Sequence, residues 1–367
     1  MKDEEKAFQW FLKSAEGGNC DGQHNLGRCY LSGIGTIEDK EKAFQWFLKS
    51  AEGGNSYGQH NLGYCYENGI GTTKDEEKAF QWYLKSVEEG NLMGQLNLGN
   101  CYFNGTGTTK DQEKAFQLYL KLAEWGNLMG QLNIGSCYFN GTGTIKDEEK
   151  AFQWYLKSAE GGNSNGQLNL GYCYEEEIGT TKDEEKAFQW YMKSAKGGNL
   201  MGQNNLGNCY LFGTGTIKDE GKAFQWFLKS AEGGNHIVQN NLGCCYLDGT
   251  GTIKDEKKAF QWFLKSAEGG NHKGQKSLGY CYQNGIGTIK DEEKAFQWYM
   301  KLAEEGDHFG QCNLGISYFN GIGTTKDEKK AFQWFLKSAE GGEKFGQSSV
   351  EYSIEMKFHM LKKIRIN

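Results

Sequence analysis

The sequence predicts an all-α fold: a right-handed α-α superhelix, or solenoid, of nine 36-residue helix-turn-helix repeats with terminal half-units. Three observations predict it. The pair Ala-Phe recurs at Ala7, Ala43, Ala79, Ala115, Ala151, Ala187, Ala223, Ala259, Ala295 and Ala331, always 36 residues apart. Between these marks, nearly every copy holds two helix-length amphipathic runs separated by a Gly-x-Gly turn. The 367 residues contain 53 glycines and no proline, yet 14% are Phe, Trp or Tyr. Collagen needs proline and disordered chains are poor in aromatics, so both are excluded.

In chain order, residues 1–18 read as a half-repeat with the second helix only, residues 19–342 as nine repeats in one continuous solenoid, and residues 343–367 as an atypical capping helix with a basic tail. Within one copy, Asn55 caps the first helix, as do Asn19, Asn91, Asn127, Asn163, Asn199, Asn235 and Asn271 in theirs. Gly58, Leu62, Cys65 and Tyr66 share a face of that helix, with Gly63 at its edge, and the small residues predict close helix approach. The turn Gly69-Ile70-Gly71-Thr72 reverses the chain. Asp75 then caps the second helix, with Glu76 and Glu77 at the positive end of its dipole.

On that second helix Ala79, Phe80, Trp82, Tyr83, Leu84 and Val87 cover an arc of roughly 200°, wider than the ~100° stripe of a helix lying on one core. Such a helix must be covered on two sides, as when stacked between neighbours. Lys78, Gln81, Lys85 and Glu88 form its solvent face. In the tail, Val350, Ile354, Phe358 and Leu361 fall on one face while Lys357, Lys362, Lys363 and Arg365 add positive charge, the pattern of a terminal cap.

The order Leu62-Gly63-x-x-Tyr66, Gly69-x-Gly71, Asp75-x-x-Lys78-Ala79-x-x-Trp82-Tyr83-x-Lys85, Glu88-x-Gly90-Asn91 resembles the Sel-one-like repeat, a relative of the tetratricopeptide repeat with a longer inter-helix loop. Departures are Gly58, where that family prefers Ala; Ser86, where a second Ala is common; and Glu177, which takes the place of the first turn Gly and bears on that turn's geometry. The resemblance implies a non-catalytic scaffold or adaptor whose partner is a protein or peptide segment, bound in a concave groove lined by the first helices, as in signalling or quality-control assemblies. The alternative it offers is a secreted hydrolase or cell-wall-binding protein like the family's cysteine-rich members. Those pair a cysteine in each helix of a repeat, and here the second helix has none.

Chemistry-bearing residues support no catalytic, cofactor or metal site. Cys29, Cys65, Cys101, Cys137, Cys173, Cys209, Cys245 and Cys281 form a 36-residue column on the buried face of the first helix. Stacked equivalents should lie roughly 10 Å apart, beyond the ~7 Å limit for a disulfide, so inert core thiols are expected. His236, His272 and His308 form a similar column, too widely spaced to share one zinc ion. Gly-x-Gly-Thr follows a helix rather than a strand and does not cradle phosphate.

The 41 basic and 47 acidic residues leave a net charge of −6 without a basic stripe, so nucleic acid is not expected as partner. No apolar run reaches the ~18 residues of a membrane span, and Met1-Lys2-Asp3-Glu4-Glu5 is unlike a secretory signal. Cytoplasmic location is the expectation. The first residues fall inside a repeat, which leaves room for an upstream segment and any targeting signal.

Variation among the copies points to a binding face. The least constant first-helix positions are those of Tyr57, His60, Tyr64 and Glu67, which share one face. Along it Met93, Leu96, Phe103, Met129, Leu132, Phe139 and Leu168 predict an exposed apolar groove for the partner. Gln59 and Asn61, present in nearly every copy, are expected to link neighbouring repeats.

Overall fold

A computed structural model describes residues 2–340 and contains 19 α-helices and no strand among them. The tail residues Val350, Ile354, Phe358, Leu361, Lys357, Lys362, Lys363 and Arg365 lie outside the described residues. The chain divides into two compact units, Met1–Asp183 and Glu184–Asn367. The first holds α1 (Lys2–Glu16), α2 (Cys20–Ser32), α3 (Lys40–Glu52), α4 (Ser56–Asn68), α5 (Glu76–Glu88), α6 (Leu92–Asn104), α7 (Gln112–Glu124), α8 (Leu128–Asn140), α9 (Glu148–Glu160) and α10 (Ser164–Glu176). The second holds α11 (Glu184–Lys196), α12 (Leu200–Phe212), α13 (Glu220–Glu232), α14 (His236–Asp248), α15 (Glu256–Glu268), α16 (His272–Asn284), α17 (Glu292–Glu304), α18 (His308–Asn320) and α19 (Glu328–Glu340). In each unit every helix packs on the next in sequence, the arrangement of a solenoid.

Local chemistry starts and stops each helix as the residues dictate. Asn55 Oδ1 accepts from Gly58 N at 2.8 Å, and α4 ends at Gly69, whose left-handed φ of 66° lets its N–H reach Cys65 O. Asp75 N donates to Tyr66 O at 2.9 Å, which folds the turn back onto α4. Its carboxylate then accepts from Lys78 N at 3.0 Å and starts α5. Gly71, also at positive φ, lies so close to the carbonyl of Lys40 at the start of α3 that a Cβ would collide with it. The turn glycine is thus a contact between successive repeats as well as a reversal.

Side chains knit the repeats in two directions. Ala79, Phe80 and Tyr83 of α5 pack with Leu98 and Cys101 of α6, while Trp82 on the same helix reaches the preceding cluster around Ala43, Phe44 and Phe47. This is the two-sided cover that the wide apolar arc of α5 demands. Phe44 meets Tyr66 edge-on at 5.4 Å between ring centroids, and Phe80 meets Tyr102 in the same way. Ser86, the departure from the family's Ala, is fully buried and donates to Ser56 O at 2.7 Å, tying α5 to the start of its own α4.

Glu177 keeps the turn that a glycine makes elsewhere. It adopts φ 60° and ψ 34°, and its N–H reaches Cys173 O like the cap of the other repeats. The departure changes local strain rather than geometry.

Candidate partner-binding groove

The first helices α2, α4, α6, α8 and α10 of the first unit present the variable face. Its four rows meet different surroundings, because only some lie clear of the next helix in the stack. The row of Tyr57, Met93 and Met129 is exposed, Met93 by 48% and Met129 by 39%. Asn163 Nδ2 lies 3.2 Å from Met129 Sδ, so the next repeat's capping residue holds that thioether in place.

The adjacent row, headed by His24 and His60, is different. Asn61 Nδ2 lies 2.9 Å from His24 Nε2, and Asn97 Nδ2 lies 3.2 Å from His60 Nε2, so this row bridges repeats. Leu132 occupies the same row and is only 8% exposed. Its expected place on an open apolar wall is therefore corrected: the row is pressed against the neighbouring repeat, and Leu132 belongs to the packing. Leu96 and Leu168 are half-buried, and Leu96 packs on the cluster of Ala115, Tyr119, Ala123, Ile134 and Cys137. In the second unit Asn204 and Asn240 are buried in the equivalent row, and Lys276 forms an ion pair with Asp307 at 2.8 Å.

Phe103 and Phe139 lie two turns along and are also half-buried, with Lys110 and Lys146 ammonium groups each 5.9 Å from the respective ring centroid. Gln59, expected to link repeats, sends its Nε2 to Ala51 O of the preceding helix at 3.5 Å. The structure thus leaves Met93 and Met129 as the open apolar residues of the seven named from sequence.

Sequence reasoning missed Trp125, which is 70% exposed. The signal was present: other copies in this unit carry Gly53, Glu89 or Gly161 at that position. Gly53 and Gly161 stand against the second residue of their own repeats, Cys20 and Leu128; the equivalent residue in the repeat of Trp125 is Leu92, which is also exposed. Also missed were Ile37 and Ile145 at the loop tips, both almost fully exposed.

Ionisable groups here are quiet. Burial pushes the thiols of Cys65, Cys101 and Cys173 up to about 12, which keeps them protonated and unreactive. No disulfide joins described cysteines. Burial, helped by Arg28, pulls His24 down to about 4. No group of three His, Cys, Asp or Glu among the described residues is placed to hold a metal ion.

The pattern described as Sel1 repeat matches residues 1–19, 20–55, 56–91, 92–127, 128–163, 164–199, 200–235, 236–271, 272–307 and 308–343. The chain belongs to the Sel1 repeat family. The first of those matches is the half-repeat that α1 occupies. A similar solved structure is that of the Escherichia coli protein c5321, described as a protective antigen of uropathogenic strains displaying an SLR fold. It is 37% identical, with 95% of this chain and 75% of that chain covered and a TM-score of 0.67. A Sel1 repeat protein from Oxalobacter formigenes is 29% identical over 82% of this chain and 88% of that chain, with a TM-score of 0.62. A tetratricopeptide-repeat sensor ATPase from Pyrococcus horikoshii, 14% identical, shares the fold at a TM-score of 0.52, with 94% of this chain and 54% of that chain covered. Comparison with the curated proteins finds no match. Sel1 repeat proteins generally mediate protein–protein interaction and are generally non-catalytic scaffolds. No described helix is long and apolar enough to cross a membrane.

Proposed function

We propose that this Sel1 repeat protein is a scaffold or adaptor that binds an apolar segment of a partner protein, in the manner of signalling or quality-control assemblies. The observation that carries the reading is the exposure of Tyr57, Leu92, Met93 and Met129 on the first helices α4, α6 and α8, and of Trp125 at the C-terminal end of α7. Exposed Tyr and Trp suit hot-spot contacts, since they offer large area at a small entropic cost of ordering, and the flexible methionine thioethers adapt to an irregular apolar partner. The row beside them is occupied by inter-repeat packing, which fixes the helices that present them.

The test compares affinity capture by the intact chain with capture by the Met93→Asp, Trp125→Ala and Met129→Asp triple variant. Each residue at the centre of a contact is expected to contribute about 1–2 kcal/mol. Partners should be lost from the variant while its urea midpoint holds. An unchanged set of captured proteins would overturn the reading.

A further inference from the structure

A cavity of about 380 Å³ opens between α6, α7 and α8, and its walls are uncharged. It exists because two substitutions coincide. In the first unit the position of Asn100 and Ser136 is held by Arg28, Tyr64 or Tyr172 in the other copies, so within this unit two small neutral residues follow one another at this place alone, as Asn208 and Cys244 do in the second. The second is the loss of a bridge. Asn61 and Asn97 pair with His24 and His60 of the preceding repeats, but the matching partner of Asn133 is Leu96, which offers no polar atom. Among the described residues the Asn133 amide has no hydrogen-bond partner, and it lines the cavity.

Most of the remaining lining residues carry hydrogen-bonding groups, and two of them are oriented by neighbours. Tyr119 Oη donates to Asn100 Oδ1 at 2.7 Å, which orients that amide and leaves its Nδ2 to donate. Asn140 Nδ2 donates to Ser136 O at 3.0 Å, so its Oδ1 remains an acceptor. Asn104 and Thr142 add groups that can both donate and accept, and Phe103 gives an apolar wall. These groups line a half-open cleft whose volume falls within the ~300–1,000 Å³ range of small-molecule sites. They are more numerous than a single carboxamide, with two donor hydrogens and one acceptor oxygen, can satisfy. They match a ring whose several hydroxyls each donate and accept and whose C–H face meets an aromatic side chain. An ion would find no countercharge in the lining.

We propose that this cavity binds a small, uncharged polyol of monosaccharide size. The inference goes beyond the partner-segment reading and stands or falls separately from it.

Ligand-observed saturation-transfer NMR, together with ¹⁵N shifts of the Asn side-chain amides, tests it on the full chain. The probes are D-glucose and N-acetyl-D-glucosamine, each free and as the methyl glycoside. Millimolar binding that shifts the Asn100 and Asn133 amides is expected. Equal binding of the glycosides assigns a glycan end, and binding of the free sugars alone assigns a free monosaccharide. Asn100→Tyr should abolish the signal, and because Tyr64 and Tyr172 fill this position in neighbouring copies the fold is expected to accommodate it. Thr142→Ile, the residue present at Ile70 and Ile178, removes one hydroxyl and should weaken binding roughly tenfold. No transfer to any of the sugars overturns the proposal, as does transfer that survives both substitutions. Amide shifts produced by N-acetylglutaminamide but by no sugar also overturn it.

Discussion

Glu177 is the only non-glycine residue held at positive φ among the described residues. A side chain there costs roughly 1–2 kcal/mol, partly offset by the larger unfolded-state entropy of glycine. Glu177→Gly is therefore expected to raise stability by about 0.5–1 kcal/mol in urea unfolding, and a lower midpoint would contradict the strain argument. At Leu132 the expectation is a loss. Its side chain is buried, so Leu132→Ala should remove about 2–4 kcal/mol of stability, measured in the same way. This residue also marks where sequence reading stopped. The helical period identified its face, but which row of that face the next repeat covers depends on how the helices stack, and a single copy does not encode that. Met93 and Leu132 looked alike in sequence and differ by this alone.

At the scale of one helix, α4 is clamped between α3 and α5 by two glycines, Gly58 against Ser50 of α3 and Gly63 against Tyr83 of α5. A Cβ on Gly63 would stand 2.8 Å from the Tyr83 ring and 3.2 Å from Ala79 O. Gly63→Ala gains about 1 kcal/mol of helix propensity, but overpacking costs about 1–3 kcal/mol, so a net fall in melting temperature is expected. The helices, their Asn and Asp caps and the close approaches were legible from residue type, because each depends on neighbours within one repeat. The bridge from His24 to Asn61 was legible only as a recurring Asn. It brings a pH dependence. His24 faces Arg28, Asp21 and His60 and packs against the rings of Phe47 and Tyr57, and its folded value of about 4 lies below the ordinary 6.5. The unfolded chain therefore takes up the proton first. Stability is complete above pH 6.5 and falls as pH drops from 6.5 toward 4, with His60 acting in the same direction. Urea midpoints across that range should show the slope, and His24→Asn should flatten it; a slope unchanged in the variant would assign it elsewhere.

For the molecule as a whole, contacts within each unit reach only the adjoining repeats. Melting should proceed repeat by repeat rather than in one cooperative step. The cysteine column provides the measurement. Cys65, Cys101, Cys137 and Cys173 are buried, whereas Cys20 is partly exposed. In the first unit a thiol reagent should modify Cys20 in the native state and the others only as their own repeats open, at rates resolved by mass spectrometry. Simultaneous modification of all of them would instead indicate global unfolding. The column itself was readable from the fixed 36-residue period. The cavity at Asn133 was not, since it arises from the absence of a polar partner one repeat away.

The seam between repeats carries a consequence for how such a chain changes length. Phe44 and Phe80 make the same ring contact with Tyr66 and Tyr102, and Ser50 and Ser86 both lie against a glycine at the start of the helix that follows. Excising residues 56–91 would join Asn55 to Leu92 and place Phe44 opposite Tyr102, a pairing chemically identical to the two it replaces. In-register recombination between copies of the coding sequence therefore adds or removes whole repeats while keeping this aromatic seam. A crossover out of register would put Lys or Glu into the seam and be eliminated at the folding step. Copy number is thus a heritable variable that selection can adjust independently of the chemistry within any one copy.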